Sequence, residues 1–456
     1  MNETTDTRRF LPSVDKILQH VNQTAGMDTF SHEQKVDAAR NILNQIRLSG
    51  VHEPPEMEEI IHQVVSLLEL RQKAGIRRVV NGAGIILHTG LGRAVLPREA
   101  MDAVKNLDGY SSLQIDLETG ERGRRDAEIE EILHKLTGAE AATVVNNNAA
   151  ATLLVLTVLC KDQELIVSRG QLIEIGGSFR LPDIIAASGA RMVEVGTTNK
   201  THLRDYENAI TEHTRVLLRV NPSNYRIIGF SKMVPTKDLV SLKTGRDLIV
   251  VDDLGCGALV DLRKFGLPYE ATVQDSIAAG ADVALFSGDK LISGPQAGII
   301  VGKKENITKI RKHPLARAMR VGKFTIAALE ATLKLFLNPE TMFEKIPVLR
   351  MITTPLSSLQ NHATALSQRL AKYASCEVRK DYSVCGGGSL PDCPLETAVV
   401  AISHADFTAN ELAKKLRLGE PSVVTRVQDE KVHIDVRTLL DGDDERIENA
   451  IKELFK

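Results

Sequence analysis

The sequence lacks three things that would narrow its function at once: a C-x-x-C pair, an apolar run long enough to cross a bilayer, and a surplus of one charge. Its five cysteines, Cys160, Cys256, Cys376, Cys385 and Cys393, are an odd number without paired spacing. They indicate neither a disulfide framework nor a zinc knuckle. We expect reduced thiols, none of them marked as a nucleophile by a basic neighbour. The longest apolar run, "AAATLLVLTVLC" at 149–160, is too short for a membrane span, and the opening "MNETTDTRRF" has no apolar signal core. A cytoplasmic protein is therefore expected. With 57 Lys and Arg against 59 Asp and Glu, the formal charge is -2 and gives no global attraction to nucleic acid or membrane. Internal repeats and long low-complexity segments are absent as well.

What is present is organised in three parts. Phe10, Leu11, Val14, Ile17, Leu18 and Val21 recur at helical spacing, with Pro12 suited to a first turn. "SHEQ" at 31–34 has the form of a capping box ahead of Val36, Ala39, Ile42, Leu43 and Ile46. "PPE" at 54–56 opens a third periodic run. Residues 1–75 thus read as a helical domain. Beyond it, short β-branched runs at 143, 165, 192, 216, 248 and 283 alternate with helical stretches, which argues for a largely parallel sheet with crossover helices over 76–340. A long helix is expected near 324–337. Residues 341–456, with strands at 398, 422 and 431 and a last helix near 444–455, read as a smaller α/β domain.

The candidate chemistry lies at strand ends of the middle part. "LFSGDKLISGPQAG" at 285–298 places Lys290 in a tight loop just after an apolar strand, on the edge where α/β sheets hold ligands. "DLIVVDDLGCG" ends another strand at Asp252 and Asp253. A lysine to form a Schiff base, with a carboxylate to keep a pyridine ring protonated, is what pyridoxal 5'-phosphate requires. "VVNNNAAATLLVL" runs from a strand into an apolar helix whose first amides suit a phosphate, with Asn147 and Asn148 as added donors and Ser287 as a further ligand. Each piece alone has a plainer reading: a surface lysine, a helix-capping Asp, an Asn turn. Their occurrence together in this order favours the cofactor.

Two further stretches suit anions. "HTGLGRA" at 88–94 puts Arg93 after two glycines that permit close backbone approach. From Lys303 to Lys323 there are eight Lys or Arg and one Glu, and Arg317 and Arg320 share a face if that stretch is helical; Pro314 breaks a continuous helix. A solvated basic helix is the plain alternative. Residues 1–50 hold six basic and six acidic residues, so charge alone does not mark the helical domain as RNA-binding.

Taken together, "RRFLPSVDKIL", "HTGLGRA", "NNNAAATLL", "RGQLIEIGGSFRLPDI", "VVDDLGCG" and "FSGDKLISGPQAGIIVG" closely resemble the bacterial selenocysteine synthases, the L-seryl-tRNA(Sec) selenium transferases, over nearly the whole chain. The resemblance implies a fold-type-I pyridoxal-phosphate transferase, with a mainly parallel large domain, a small C-terminal α/β domain and a helical tRNA-binding domain. It further implies a homodecamer of five dimers. Its substrates would be seryl-tRNA(Sec) and selenophosphate. The reaction would remove the seryl hydroxyl to give an aminoacrylyl-tRNA and then add selenium. Lys290 would hold the cofactor, with Asp252 as the chosen ring-nitrogen partner and Asp253 as the alternative. Arg93, Arg317 and Arg320 would bind the selenium donor, and Asp289 would be catalytic. Ile292-Ser293 stands where Leu-Gly is expected, and neither Gln171 nor Glu174 is the aromatic or His expected to stack on the ring. The competing readings are a pyridoxal-phosphate lyase acting on a small phosphorylated amino acid or amino sugar, and a non-catalytic binding protein.

Overall fold

A computed structural model describes residues 11–48, 55–72, 75–177 and 179–455. The chain forms two compact units, 1–78 and 79–456. The first unit holds helices Val14–Val21, His32–Leu48 and Met57–Gln72 around Ile17, Val21, Ala38, Leu43, Ile60, Val64 and Leu68. Its first helix is capped by the Ser13 hydroxyl, which accepts from the amide of Lys16 at 3.4 Å. Phe10, expected in that helix, and Pro54, expected to open the third, lie outside the described residues. The capping box is formed: the Ser31 amide donates to Gln34 Oε1 at 2.8 Å, and the Gln34 amide donates back to Ser31 Oγ at 3.2 Å.

The second unit is built on a seven-stranded sheet. Its order is Ala141–Val145, Gly298–Gly302, Val283–Ser287, Ile249–Gly255, Thr214–Val220, Glu164–Ser168, Arg191–Val195. Gly298–Gly302 is antiparallel to both neighbours, and every other pairing is parallel. Val283–Ser287 and Gly298–Gly302 are buried throughout, which explains why they read as continuous apolar runs rather than alternating ones. Helices cover both faces. One core layer gathers Ile129, Leu133, Phe286, Ile299 and Leu329, and the other gathers Leu154, Val167, Leu218, Val251 and Leu285. The loop joining Val283–Ser287 to the antiparallel strand is the one that carries Lys290.

A four-stranded antiparallel sheet in the order Ser375–Gly386, Ser389–Ser403, Lys431–Asp435, Arg426–Gln428 packs on helices Leu356–Leu370 and Asp443–Leu454. The sequence did not announce Ser375–Gly386. It is an edge strand with a mostly solvated upper half, so its apolar alternation is weak. "SVVTRV" forms two short strands rather than one: Val423–Val424 pairs in parallel with Val80–Asn81, and Arg426–Gln428 joins the small sheet. Residues 80–87, which fall in the middle part by sequence, are bonded to the small sheet and its neighbours. Leu87 donates to Cys385 O at 2.7 Å, Ile86 donates to Val384 O at 3.0 Å, and Asp435 donates to Gly82 O at 2.9 Å. The segment that leads to Arg93 is therefore hung from the C-terminal sheet.

One pair joining the two helices behind that sheet is pH-sensitive. His362 Nε2 lies 2.9 Å from Asp444 Oδ1, and this hydrogen bond holds the imidazole above its ordinary pKa, against partial burial. A folded-state pKa raised above the unfolded value of about 6.5 stabilises the fold fully below that value and is lost as pH rises through the raised pKa. Replacing Asp444→Asn should therefore lower stability by about 0.5–1 kcal/mol at pH 6 and by less at pH 9, discounted for the pair's partial exposure. Urea midpoints at the two pH values test this; an equal loss at both would refute the pairing.

Candidate active site

Burial of an amine beside a carboxylate defines the site. Lys290 and Asp289 are both buried in the loop after Val283–Ser287. Asp253, near the end of the neighbouring strand Ile249–Gly255, faces the same side. Its Oδ1 accepts from Asn148 Nδ2 at 2.9 Å and its Oδ2 from Thr152 Oγ1 at 3.1 Å. Burial pushes the Asp253 carboxyl above its usual range, opposed by those two donors and by the Lys290 charge. An acid in that condition is energetically completed by a cation set against it.

Asp252 points the other way, which corrects the expected assignment. Consecutive residues of a strand face opposite sides of the sheet. Asp252 accepts from Arg219 Nη1 at 2.6 Å, Thr236 Oγ1 at 2.8 Å and Ser276 Oγ at 2.8 Å. It is a saturated structural ion pair, while Asp253 shares the face of Lys290.

The phosphate loop is present with its donors arranged differently from expectation. Helix Asn148–Cys160 starts at the strand edge, capped by Asn147, whose Oδ1 accepts from the amide of Ala150 at 2.9 Å. Asn148 gives its amide group to Asp253, so its side chain braces the acid rather than offering a donor to phosphate. Backbone amides at the first turn remain the phosphate donors this geometry supports. Ser287 ends its strand buried and registered against Gly298. A Cβ on Gly298 would stand 2.1 Å from Asn147 O, so only glycine lets the strand pass this close to the loop.

Arg93 and Asp289 meet at 2.8 Å, joining the "HTGLGRA" loop to the lysine loop. They line a cavity of about 410 Å³ with Thr89, Gly92, Gly294 and Pro295. Arg93 takes a left-handed φ of 65° directly after Gly92 at 93°. Ser293, found where glycine was expected, also has a left-handed φ, of 62°. Its hydroxyl donates to Val95 O at 2.5 Å and accepts from the Val348 amide at 3.4 Å, two bonds that glycine would lack. The loop tolerates the departure because serine bonds locally.

Arg317 and Arg320 do not share one helix face. Pro314–Ala318 is a short helix, and Arg320 lies beyond it, bridged in β fashion to Val145; Met319 O accepts from the Asn146 amide at 2.9 Å. Both arginines are exposed, and Arg320 sits beside the phosphate loop. Among the described residues neither has an acidic partner, whereas Lys303, Lys309 and Arg311 of the same run pair with Asp282, Glu305 and Glu130. Gln171 is spent on the Val220 amide, which donates to its Oε1 at 3.1 Å, and Glu174 pairs with Arg180.

Sequence reasoning missed the small sheet's contribution. The turn Gly386–Gly388, all three with left-handed φ, brings Gly388 beside the amine: a Cβ there would lie 3.1 Å from Ser223 Oγ and 3.6 Å from Lys290 Nζ. Three consecutive glycines in "VCGGGSL" were the available signal. The buried Thr152 and Thr236 gave none, since a lone threonine in an apolar run and one after a proline at a helix start are both ordinary.

The sheet order, the lysine loop and the facing acid define a fold-type-I pyridoxal-phosphate enzyme. The solved structure of D-glucosaminate-6-phosphate ammonia-lyase is similar in fold, with a TM-score of 0.58 over 84% of this chain and 97% of that one, at 21% identity. Residues 79–440 match the family model described as L-seryl-tRNA selenium transferase. L-seryl-tRNA(Sec) selenium transferases from Clostridium perfringens and Nitratidesulfovibrio vulgaris are 45% and 46% identical, the first covering 99% of both chains and the second 98% of both. The chain belongs to the L-seryl-tRNA selenium transferase family.

The two aspartates separate experimentally. Asp253→Asn should fold and lose most of the stabilisation that pyridoxal 5'-phosphate gives the wild type. Asp252→Ala, which strands Arg219, should cost about 3–5 kcal/mol of stability whether or not cofactor is present. Thermal melts of both variants, with and without the cofactor, check the assignment; the reverse pattern would restore Asp252.

Proposed function

We propose that the chain converts L-seryl-tRNA(Sec) to L-selenocysteinyl-tRNA(Sec) with selenophosphate as selenium donor, and that Lys290 carries the cofactor. The observation that supports this most directly is a buried amine sharing one sheet edge with a buried, propped carboxylate, Asp253, at the start of a phosphate-ready helix. The fit is good: Lys290 would hold the aldehyde carbon, Asp253 the ring nitrogen, and the first turn of Asn148–Cys160 the phosphate. Bound there, pyridoxal 5'-phosphate supplies an electron sink for charge developing at the serine α-carbon.

The residues of the chain supply the rest. With the seryl substrate in the site, the Lys290 amine is the group placed to take the α-proton. The seryl hydroxyl leaves as water. With Asp289 engaged by Arg93, the ammonium so formed on Lys290 is the better placed proton source for that departure. Asp289 orients Arg93 toward the cavity. Arg93, Arg317 and Arg320 hold the phosphoryl oxygens of the donor, and the unpaired state of the last two leaves their charge available. Selenium then adds at the β-carbon, and phosphate is released with consumption of the water lost earlier, so the transfer is balanced.

The helical unit 1–78 serves tRNA shape recognition in this reading, a task for which backbone contour suffices without a strongly basic surface. Ile228 and Phe230, 80% and 84% exposed, suit burial between copies in the expected homodecamer. A cytoplasmic setting fits free thiols, as does the absence among the described residues of any helix long and apolar enough to cross a membrane.

Single-turnover reaction of serylated tRNA should yield an amino acid that has gained selenium only when selenophosphate is supplied; hydrolysis alone, with or without it, would overturn the proposal. Lys290→Ala should abolish both turnover and the visible absorbance acquired on cofactor loading. Replacing Arg317 and Arg320 together with Ala should raise the selenophosphate requirement about tenfold or more, with tRNA affinity much less affected. Equal losses of both would place those arginines on the RNA instead.

A further inference from the structure

We infer that Glu270 is a positioning residue that latches the glycine turn of the small sheet beneath Lys290. The inference rests on the reading of Lys290 as the cofactor lysine, and it concerns a carboxylate to which no part of that chemistry has been assigned.

Glu270 is buried, yet it lies in an irregular segment between strands and forms no ion pair among the described residues. Its oxygens are used instead by three separate segments. Oε1 accepts from Asn221 Nδ2 at 2.9 Å and from the Cys256 thiol at 3.0 Å; Oε2 accepts from the Leu390 amide at 3.3 Å. Asn221 follows Thr214–Val220, and its own amide donates to Asp253 O at 2.8 Å. Cys256 follows the strand that carries Asp253. Leu390 begins the return strand of the hairpin whose Gly388 approaches Lys290 Nζ. One carboxylate therefore ties together the strand end of the ring-nitrogen acid, the next strand end, and the turn against the amine.

The local backbone shows why a latch is needed. Gly386, Gly387, Gly388 and Leu390 all have left-handed φ, at 71°, 59°, 75° and 47°. For Leu390 that conformation is strained, and such strain persists only where surroundings over-determine it. The hydrogen bond from its amide to Glu270 supplies a side-chain restraint on that residue. Burial also keeps Cys256 protonated well above the ordinary thiol range, so its S–H remains a donor to Glu270 rather than a competing anion. The thiol is thus a structural donor, not a nucleophile.

Glu270→Gln is nearly isosteric but turns a donor toward the Leu390 amide or the thiol. Hydrogen exchange on the full chain without cofactor should show the Leu390 amide exchanging at least about tenfold faster than in the wild type, the loss expected for one hydrogen bond to a charged group. After loading with pyridoxal 5'-phosphate, the pH midpoint of the visible absorbance should fall by about half a unit or more, since a negative charge near the lysine has gone and Asp253 is less firmly held. Asn221→Ala, which removes one donor to Glu270 but leaves its charge, should also speed exchange of the Leu390 amide and serves if the variant at 270 is poorly folded. Asp282→Asn, which disturbs a buried carboxylate paired with Lys243 and Lys303 at the far end of the strands, should lower stability and leave the midpoint in place. Unchanged Leu390 protection, or a midpoint moved no further than in the Asp282 variant, would overturn the assignment. A wild-type protein that stayed colourless with the cofactor would defeat the reading of Lys290 instead, and the exchange measurement would still decide whether the latch exists.

Discussion

The structure turns on the joint burial of Lys290 and Asp253. A lone ammonium or a lone carboxylate under this much protein would be strongly disfavoured, and neither finds its counter-charge in a direct ion pair among the described residues. Asn148 and Thr152 give Asp253 two donors, yet the carboxyl is still pushed upward by burial. Such a site is unfinished without a ligand that is cationic at one end and anionic at the other. A pyridinium with a phosphate tail has that polarity, and the helix start at Asn148 lies where the tail would go.

Around this pair the chain divides its labour. The large sheet fixes the acid and the amine, because both sit at ends of adjacent parallel strands whose interiors are fully buried. The small sheet supplies what stands opposite them: residues 80–87, which lead to Arg93, and the glycine turn that reaches Lys290. The arginines proposed to bind the donor thus come from two sources. Arg93 depends on the small sheet, whereas Arg317 and Arg320 are anchored to the phosphate loop through Met319 and Val145.

Much of this was legible in the sequence, and the exceptions have physical causes. The parallel strands showed themselves as short β-branched runs, and the lysine loop by its small residues. The choice between Asp252 and Asp253 was not legible, because a strand buried on both faces has no apolar alternation to say which face is which. Only the third dimension shows that Thr236, Ser276 and Arg219 wait on one side and Asn148 and Thr152 on the other. Strand Ser375–Gly386 escaped notice because an edge strand with charged residues facing water carries little signal. The small sheet's hold on residues 80–87 is likewise invisible locally, since it consists of backbone bonds between residues as far apart in sequence as Leu87 and Cys385 or Gly82 and Asp435.

The basic run from Lys303 to Lys323 shows how structure converts composition into function. As sequence it is one block of positive charge, with an ordinary solvated face as its simplest explanation. In the fold, Lys303 closes on Asp282 and Arg311 on Glu130, and Lys323 donates to the carbonyls of Leu107 and Gly109 at 2.9 and 2.7 Å. These contacts serve architecture. Among the described residues Lys304, Lys312, Arg317 and Arg320 survive the subtraction, and of these the two arginines lie past the break at Pro314, with Arg320 bridged to Val145 at the phosphate loop. Guanidinium groups without acids are costly neighbours of one another, and nearby Arg125 is held below its ordinary range by burial and by the charges of Arg320 and Arg317. A cluster left unneutralised beside a helix start is suited to a further anion, and the phosphoryl donor proposed above would supply it.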